Sequence, residues 1–182
     1  MSVNCNKREL LMGLGASILI SSKANANIII KSQNYGGNTF QKTNNVFEIA
    51  LRWRGYDEKK SNDRIELMNY FKTHLGRDID PVKIPWCAAW LDCVLSEAGY
   101  AKMNSLWARD FLKYGSRVSG TPKKGDLVVL TRNVNYGHVG FFTRYIKDKN
   151  QKEWIGVYGG NSDGKVQNSY YSLDKILGIR RI

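Results

Sequence analysis

A chain of 182 residues, 42% hydrophobic and 12% aromatic, is long enough to bury the core of one domain and too apolar for global disorder. No run of eighteen apolar residues occurs, which excludes a membrane-spanning helix in the mature chain. The formal charge of +12 favours a polyanionic partner, but the basic residues are scattered and no nucleic-acid-binding motif accompanies them.

In chain order, the first segment reads as an export signal. Lys7 and Arg8 form a basic start, Leu10 to Ile20 is an uncharged, mostly apolar run of 11 residues, and Ala24-Asn25-Ala26 supplies a small-x-small cleavage pattern. Residues 1–26 are therefore expected to be removed after Ala26, leaving the chain in the periplasm or outside the cell. Cleavage leaves 25 basic and 15 acidic residues, so the charge falls from +12 to +10, and Cys5 is lost. Cys87 and Cys93 remain. Six positions apart on one helix, they point in different directions and cannot pair. An exported protein with two unpaired thiols is not stapled by disulfides, which leaves a thiol for chemistry.

Residues 27–44 are rich in Asn, Gln, Ser, Thr and Gly and are expected to form an arm; residues 45–182 are expected to form the domain. Apolar residues at 46, 47, 49, 50 and 53 have helical spacing. Ser61-Asn62-Asp63 predicts the cap of a second helix running to about His74, with Gly76 as its stop. Pro85 before and Gly99 after predict a third helix over 86–98. Asn104 or Ser105 can cap a fourth over 106–114, stopped by Gly115. The second half has strand composition at 126–131, 140–146, 154–158 and 166–171, with 177–182 as a closing edge strand. Connections too short for helical crossovers predict an antiparallel meander. Helices followed by such a meander indicate an α+β fold.

Cys87 falls in the first turn of the third helix. Free backbone amides and the positive end of the dipole stabilise a thiolate there, and the same amides can hold an oxyanion. It can equally be a small buried core residue. Trp86 and Trp90 flank it and would shield the site and add groove surface. Cys93 falls mid-helix and is expected to pack. His138, in Gly137-His138-Val139-Gly140, opens a strand between glycines that permit close approach of another chain. A neutral imidazole there can take a thiol proton and return it to a leaving amine; a structural histidine is the alternative. His74 is better placed as a helix C-terminal partner. Asn161 ends the strand beside that of His138, where its side chain can orient the ring, although Asn161-Ser162-Asp163-Gly164 is also good turn chemistry. No spaced cluster of zinc or calcium ligands occurs, so no metal and no cofactor is expected.

The order Pro-Trp-Cys-Ala-Ala-Trp, Lys-Gly-Asp-Leu-Val-Val-Leu, Gly-His-Val-Gly-Phe and Gly-Gly-Asn resembles the NlpC-like and CHAP cysteine peptidases, closest to a subgroup carrying Pro-Trp-Cys-Ala-Ala. The resemblance covers about residues 80–182. It implies a small papain-like α+β domain, with Cys87 as nucleophile, His138 as base and Asn161 as polar orienter. It also places Ser105 to Leu112, with Trp107 and Arg109, along the groove, where Arg109 can pair with a substrate carboxylate or make a structural ion pair. Asp126 is expected to shape the turn into its strand. Many NlpC-like endopeptidases carry Asp-Cys-Ser-Gly at the nucleophile. Here Trp86 and Ala88 flank it, so the family's recognition of a free peptide amine does not carry over.

The resemblance implies a peptidoglycan hydrolase acting on a stem peptide or related amide; with the export signal and the excess positive charge, an exported monomer with an anionic cell-wall or envelope surface as further partner is expected. An acyl or amide transferase using the same three residues, and a non-catalytic wall-binding module, are the alternatives.

Overall fold

The computed structural model describes residues 45–182. The expected signal at 1–26 and arm at 27–44 lie outside the described residues. Helix α1 spans Val46–Leu51, and the Asn45 side chain caps it by accepting the Phe47 amide at 3.0 Å. Helix α2 spans Ser61–Leu75 and ends at Gly76, whose φ of 68° is the left-handed cap the sequence predicts. Its N-cap is Lys60, without a side-chain cap bond; Asp63 instead accepts the amide of Asp57 at 3.0 Å and fixes the preceding turn. Helix α3 spans Cys87–Glu97 and is buried from Cys87 through Leu95.

The segment expected as a fourth α-helix is a 3-10 helix, Ala108–Lys113. Ser105 and Asp110 explain the tighter winding. The Ser105 hydroxyl accepts the Trp107 amide at 3.0 Å and donates to the Asp110 carboxylate, so side chains replace backbone partners at its start. Asp92, buried within α3, accepts the amides of Met103 and Asn104, both at 2.6 Å, and so ties the incoming loop to α3.

Six strands form one antiparallel sheet: β1 (Ser116–Arg117), β2 (Leu127–Thr131), β3 (Gly137–Lys147), β4 (Glu153–Ser162), β5 (Lys165–Ser172) and β6 (Ile176–Arg181). The order is β1-β6-β2-β3-β4-β5, with the expected meander running from β2 to β5. The last strand is not at the edge. It lies between β1 and β2, anchored by Arg181, which donates to both carboxylate oxygens of Asp126 at 2.9 and 2.6 Å. Asp126 also accepts the Lys123 amide at 2.8 Å, the turn-shaping role expected of it.

Side-chain alternation gives the sheet two apolar faces. Leu127, Val129, Val139, Phe141, Tyr158 and Val166 pack with the helices, while Val128, Leu130, Phe142, Ile155 and Val157 form a second cluster on the other side with Tyr171, Ile176 and Ile179. The fold is thus α+β, helices packed on an antiparallel sheet.

What seats α3 on the sheet is the absence of side chains. A Cβ at Gly160 would lie 2.6 Å from Trp86 Cζ3 and 2.9 Å from Trp90 Cβ, and one at Gly140 would lie 2.6 Å from the Tyr158 carbonyl oxygen. Gly160→Ala therefore forces the first turn of α3 off β4. The expected cost is about 1–3 kcal/mol in urea unfolding, with a shift in Trp fluorescence of the folded state.

Candidate active site

Cys87 is the first residue of α3, with Trp86 as its N-cap. The amides at this turn have no intrahelical carbonyl partner. Those of Cys87 and Ala88, with the amide of Val139 on β3, favour the thiolate form of the thiol. The residue before Val139 is His138, opposite Leu130 of β2. The helix therefore delivers its nucleophile candidate to the strand segment that carries the base candidate. The expected close approaches at the flanking glycines are present: a Cβ at Gly137 would lie 2.8 Å from the Leu130 carbonyl oxygen.

His138 is fully buried and Cys87 is 3% exposed. The imidazole has polar contacts on both nitrogens. Arg132 Nη2 lies 3.2 Å from Nδ1, and Ser162 Oγ lies 3.4 Å from Nε2. A guanidinium can only donate, so Nδ1 is the acceptor and the proton sits on Nε2, donated to Ser162. This network assigns the tautomer: Ser162 holds the N–H, and the lone pair of Nδ1 points at the cationic side of the site. The Tyr171 ring lies 5.6 Å from the imidazole and flanks it.

Asn161 is brought to the site, but its recorded role is through the backbone: its carbonyl accepts from Arg132 Nη2 at 2.8 Å. Its φ of 57° is left-handed. The β4–β5 register shifts between Gly159 and Ser162, so the two residues Gly160 and Asn161 oppose Val166 alone. This bulge reverses the inward and outward alternation, buries Ser162 and aims its hydroxyl at the ring. The expected orienting contact thus comes from the next residue along.

The remaining candidates divide. Trp86 and Trp90 are completely buried, which corrects their expected role as groove surface. They belong to the buried face of α3 and its N-cap, with Trp86 Nε1 donating to Glu58 at 2.7 Å. Trp107 is 56% exposed and stacks on Tyr136, with ring centroids 6.0 Å apart. Arg109 donates to Thr131 Oγ1 at 3.0 Å and to the Asn133 carbonyl at 2.6 Å. It has no carboxylate partner among the described residues, so the structural ion pair weighed for it is not formed there. Cys93 packs mid-helix, its thiol 3.7 Å from the Tyr70 carbonyl. His74, in the last turn of α2, lies edge-on to Tyr70 at 4.6 Å.

Sequence reasoning missed Arg132 and Ser162. Arg132 lies in an exposed turn between β2 and β3 with no motif around it, and Ser162 was absorbed into the turn reading of 161–164.

Charge at the site follows from burial. Burial raises the Cys87 thiol above its ordinary value; Arg132 and the surrounding amides oppose this without overcoming it. The expected helix-end stabilisation is therefore present but outweighed in the resting state. Burial, then the charge of Arg132, lowers His138 from 6.5 to about 3. At neutral pH the pair rests as thiol and neutral imidazole, without the ion pair.

A family model described as the CHAP domain matches residues 79–161, a stretch that contains Cys87, His138 and Asn161. The match supports a CHAP-type domain over that stretch, and the α+β architecture is consistent with it. A comparison with curated proteins finds no match.

Two outcomes are expected. The folded imidazole holds its proton less tightly than the unfolded one, so between about pH 3 and 6.5 the unfolded chain binds more protons. The stability contributed by neutral His138 is therefore complete above pH 6.5 and is lost as pH falls toward 3, at up to roughly 1.4 kcal/mol per pH unit. Urea unfolding from pH 4 to 7 should show this slope, and His138→Gln should remove its share while leaving the carboxylate share. Secondly, Cys87 should alkylate with a midpoint above that of an ordinary thiol, and Arg132→Gln should move the midpoint higher. Mass spectrometry of iodoacetamide labelling reads both, with Cys93 as the slow internal control.

Proposed function

We propose that the chain is an exported cysteine hydrolase that cleaves an amide or peptide bond of peptidoglycan. One observation carries the reading: a helix N-terminal thiol meets the start of the strand that bears a buried, tautomer-defined imidazole, with Arg132 acting on both. The CHAP match supports it, since CHAP domains are generally peptidoglycan hydrolases of amidase or peptidase type. Export rests on the basic start, apolar run and Ala24-Asn25-Ala26 pattern of residues 1–26.

The chemistry begins from the neutral pair. The Cys87 proton passes to Nδ1 of His138 as the sulfur attacks the carbonyl carbon. Nδ1 has one lone pair, so Arg132 must release it at this step, and its charge then faces the developing anion. The unpaired amides of the first turn of α3 donate to the oxyanion. His138 returns its proton to the leaving amine as the C–N bond breaks, leaving a thioester. Water then attacks the thioester, giving up a proton to the imidazole, and the carboxylic acid and free thiol are released. Through both stages the bond from Nε2–H to Ser162 keeps the ring in place. Trp107, stacked on Tyr136, supplies exposed aromatic surface beside this site, and the half-buried Arg109 adds a cation.

The closure of the resting site favours one rival, a non-catalytic wall-binding module. The same experiment separates them. The purified mature chain, residues 27–182, should release soluble fragments from sacculi, and mass spectrometry of the muropeptides should identify the bond cut. Cys87→Ala and His138→Ala should abolish release, and Ser162→Ala should slow it by about tenfold or more. Sacculus binding with no fragment release from any wall chemotype, unchanged in Cys87→Ala, would establish the binding module instead.

A further inference from the structure

A second cavity, of about 330 Å³, is lined by Phe47, Leu51, Arg54, Lys124, Thr143, Arg144, Tyr158 and Asn168. That volume is at the lower end of small-ligand pockets, about 300–1,000 Å³. Three of its lining residues are cationic and none is acidic. Among the described residues, Arg54, Lys124 and Arg144 form no ion pair. Arg144 donates to the Tyr170 hydroxyl at 3.0 and 2.6 Å, and Lys124 lies 4.9 Å above the Phe47 ring, so neutral groups hold both cations over the cavity. Thr143 donates its hydroxyl proton to Asn168 Oδ1 at 2.8 Å, which leaves the amide N–H groups of Asn168 as further donors.

The independent observation is Tyr158. It is 2% exposed, and its hydroxyl is shielded from solvent, with no acceptor for its proton. Arg54 lies beside it and, as a donor, addresses only the oxygen, so the O–H remains the unsatisfied part. An unmade hydrogen bond at a buried hydroxyl is costly, about 1–3 kcal/mol, and an anion in the cavity would supply the acceptor. The cationic track also extends. An adjoining cavity of about 350 Å³ shares Lys124 and adds Lys123, and its Asp126 is already neutralised by Arg181.

We propose that this cavity binds a phosphate group of a linear phosphate-bearing polymer, with Arg54, Arg144, Lys124 and the Tyr158 hydroxyl as donors and the Lys123 side continuing to the next phosphate. The site is separate from Cys87 and does not depend on the hydrolase reading. It would hold an enzyme or a binding module against an anionic wall in either case.

Titration calorimetry on the full chain tests this, with inorganic phosphate, a short polyphosphate and phosphatidylglycerol vesicles as separate ligands at two salt concentrations. Polyphosphate should bind more tightly than inorganic phosphate and weaken with salt. The double variant Arg54→Gln/Arg144→Gln should lose about tenfold or more in affinity. Lys113→Gln/Lys175→Gln removes the same charge at exposed positions outside both cavities and should change it less than about twofold. Tyr158→Phe should weaken binding by about threefold or more while leaving the unfolding temperature unchanged or higher, because it deletes an unsatisfied group. Equal losses in the two double variants would show a diffuse basic surface and overturn the proposal. So would unchanged affinity in Tyr158→Phe. Inorganic phosphate binding as tightly as polyphosphate, or vesicles binding more tightly than it, would overturn the assignment to a polymer.

Discussion

The close seating of α3 on β3 and β4 is the constraint on which the rest of this structure depends. Two bulky indoles, Trp86 and Trp90, open the helix, and both must be buried beside a strand. Gly160 makes that possible because its missing side chain is where the Trp86 ring lies. Gly140 does the same between β3 and β4, where the Tyr158 carbonyl comes close. With the helix held there, its first turn has nowhere to point but the start of β3. The amide of Val139 then acts on the Cys87 thiol, favouring its thiolate, and His138 is the neighbouring residue on β3. A packing requirement of the core thus sets the position of the site.

The same tight seating fixes the site's electrostatics. A thiol and an imidazole removed from water both favour their neutral forms, and both shift in that direction here. Arg132 acts on the two groups with opposite consequences: its charge favours the thiolate and disfavours the imidazolium. A resting thiolate–imidazolium pair is consequently suppressed, and in the proposed hydrolysis activation is a matter of where the guanidinium goes. Its anchors are neutral acceptors, the Asn161 carbonyl and Nδ1 itself. No carboxylate among the described residues holds it, so a polar group entering the site would compete only with neutral partners for it. That is a physical reason for an arginine in a turn, rather than one locked in an ion pair.

Much of this was legible in the sequence, and the parts that were not share a cause. The third helix was marked by Pro85 and Gly99, and Cys87 and His138 were marked by their positions at a helix start and a strand start. Such signals are local, and local sequence carries them. Ser162 was hidden because a bulge at Gly160 and Asn161 reverses the alternation on which facing is judged, so the residue pointing at the ring is one place later than the pattern implies. The interior position of β6 was hidden because its outer neighbour, β1, has two residues, too few to show periodicity. Trp86 and Trp90 illustrate a third kind of ambiguity: an aromatic beside a nucleophile has the same composition whether it lines a groove or fills a core. Each of these outcomes was decided by pairing or packing between distant segments.

The net positive charge takes on a definite distribution once the pairs are assigned. Acidic groups are drawn into structural work: Asp126 holds Arg181 and the central β6, Asp80 holds Arg64, and Asp92 caps the loop after α3. Among the described residues, the cations left without an acid include Arg109 and Arg132 beside the site and Arg54, Lys124 and Arg144 around the second cavity. Charges separated by more than the Debye length, about 8 Å at physiological salt, act largely independently. What governs binding is therefore local neutralisation, not the total of +12. Where acids are drawn into structural pairs and Arg54, Lys124 and Arg144 line one cavity without an ion pair among the described residues, the local charge there is suited to the anionic ligand proposed for it.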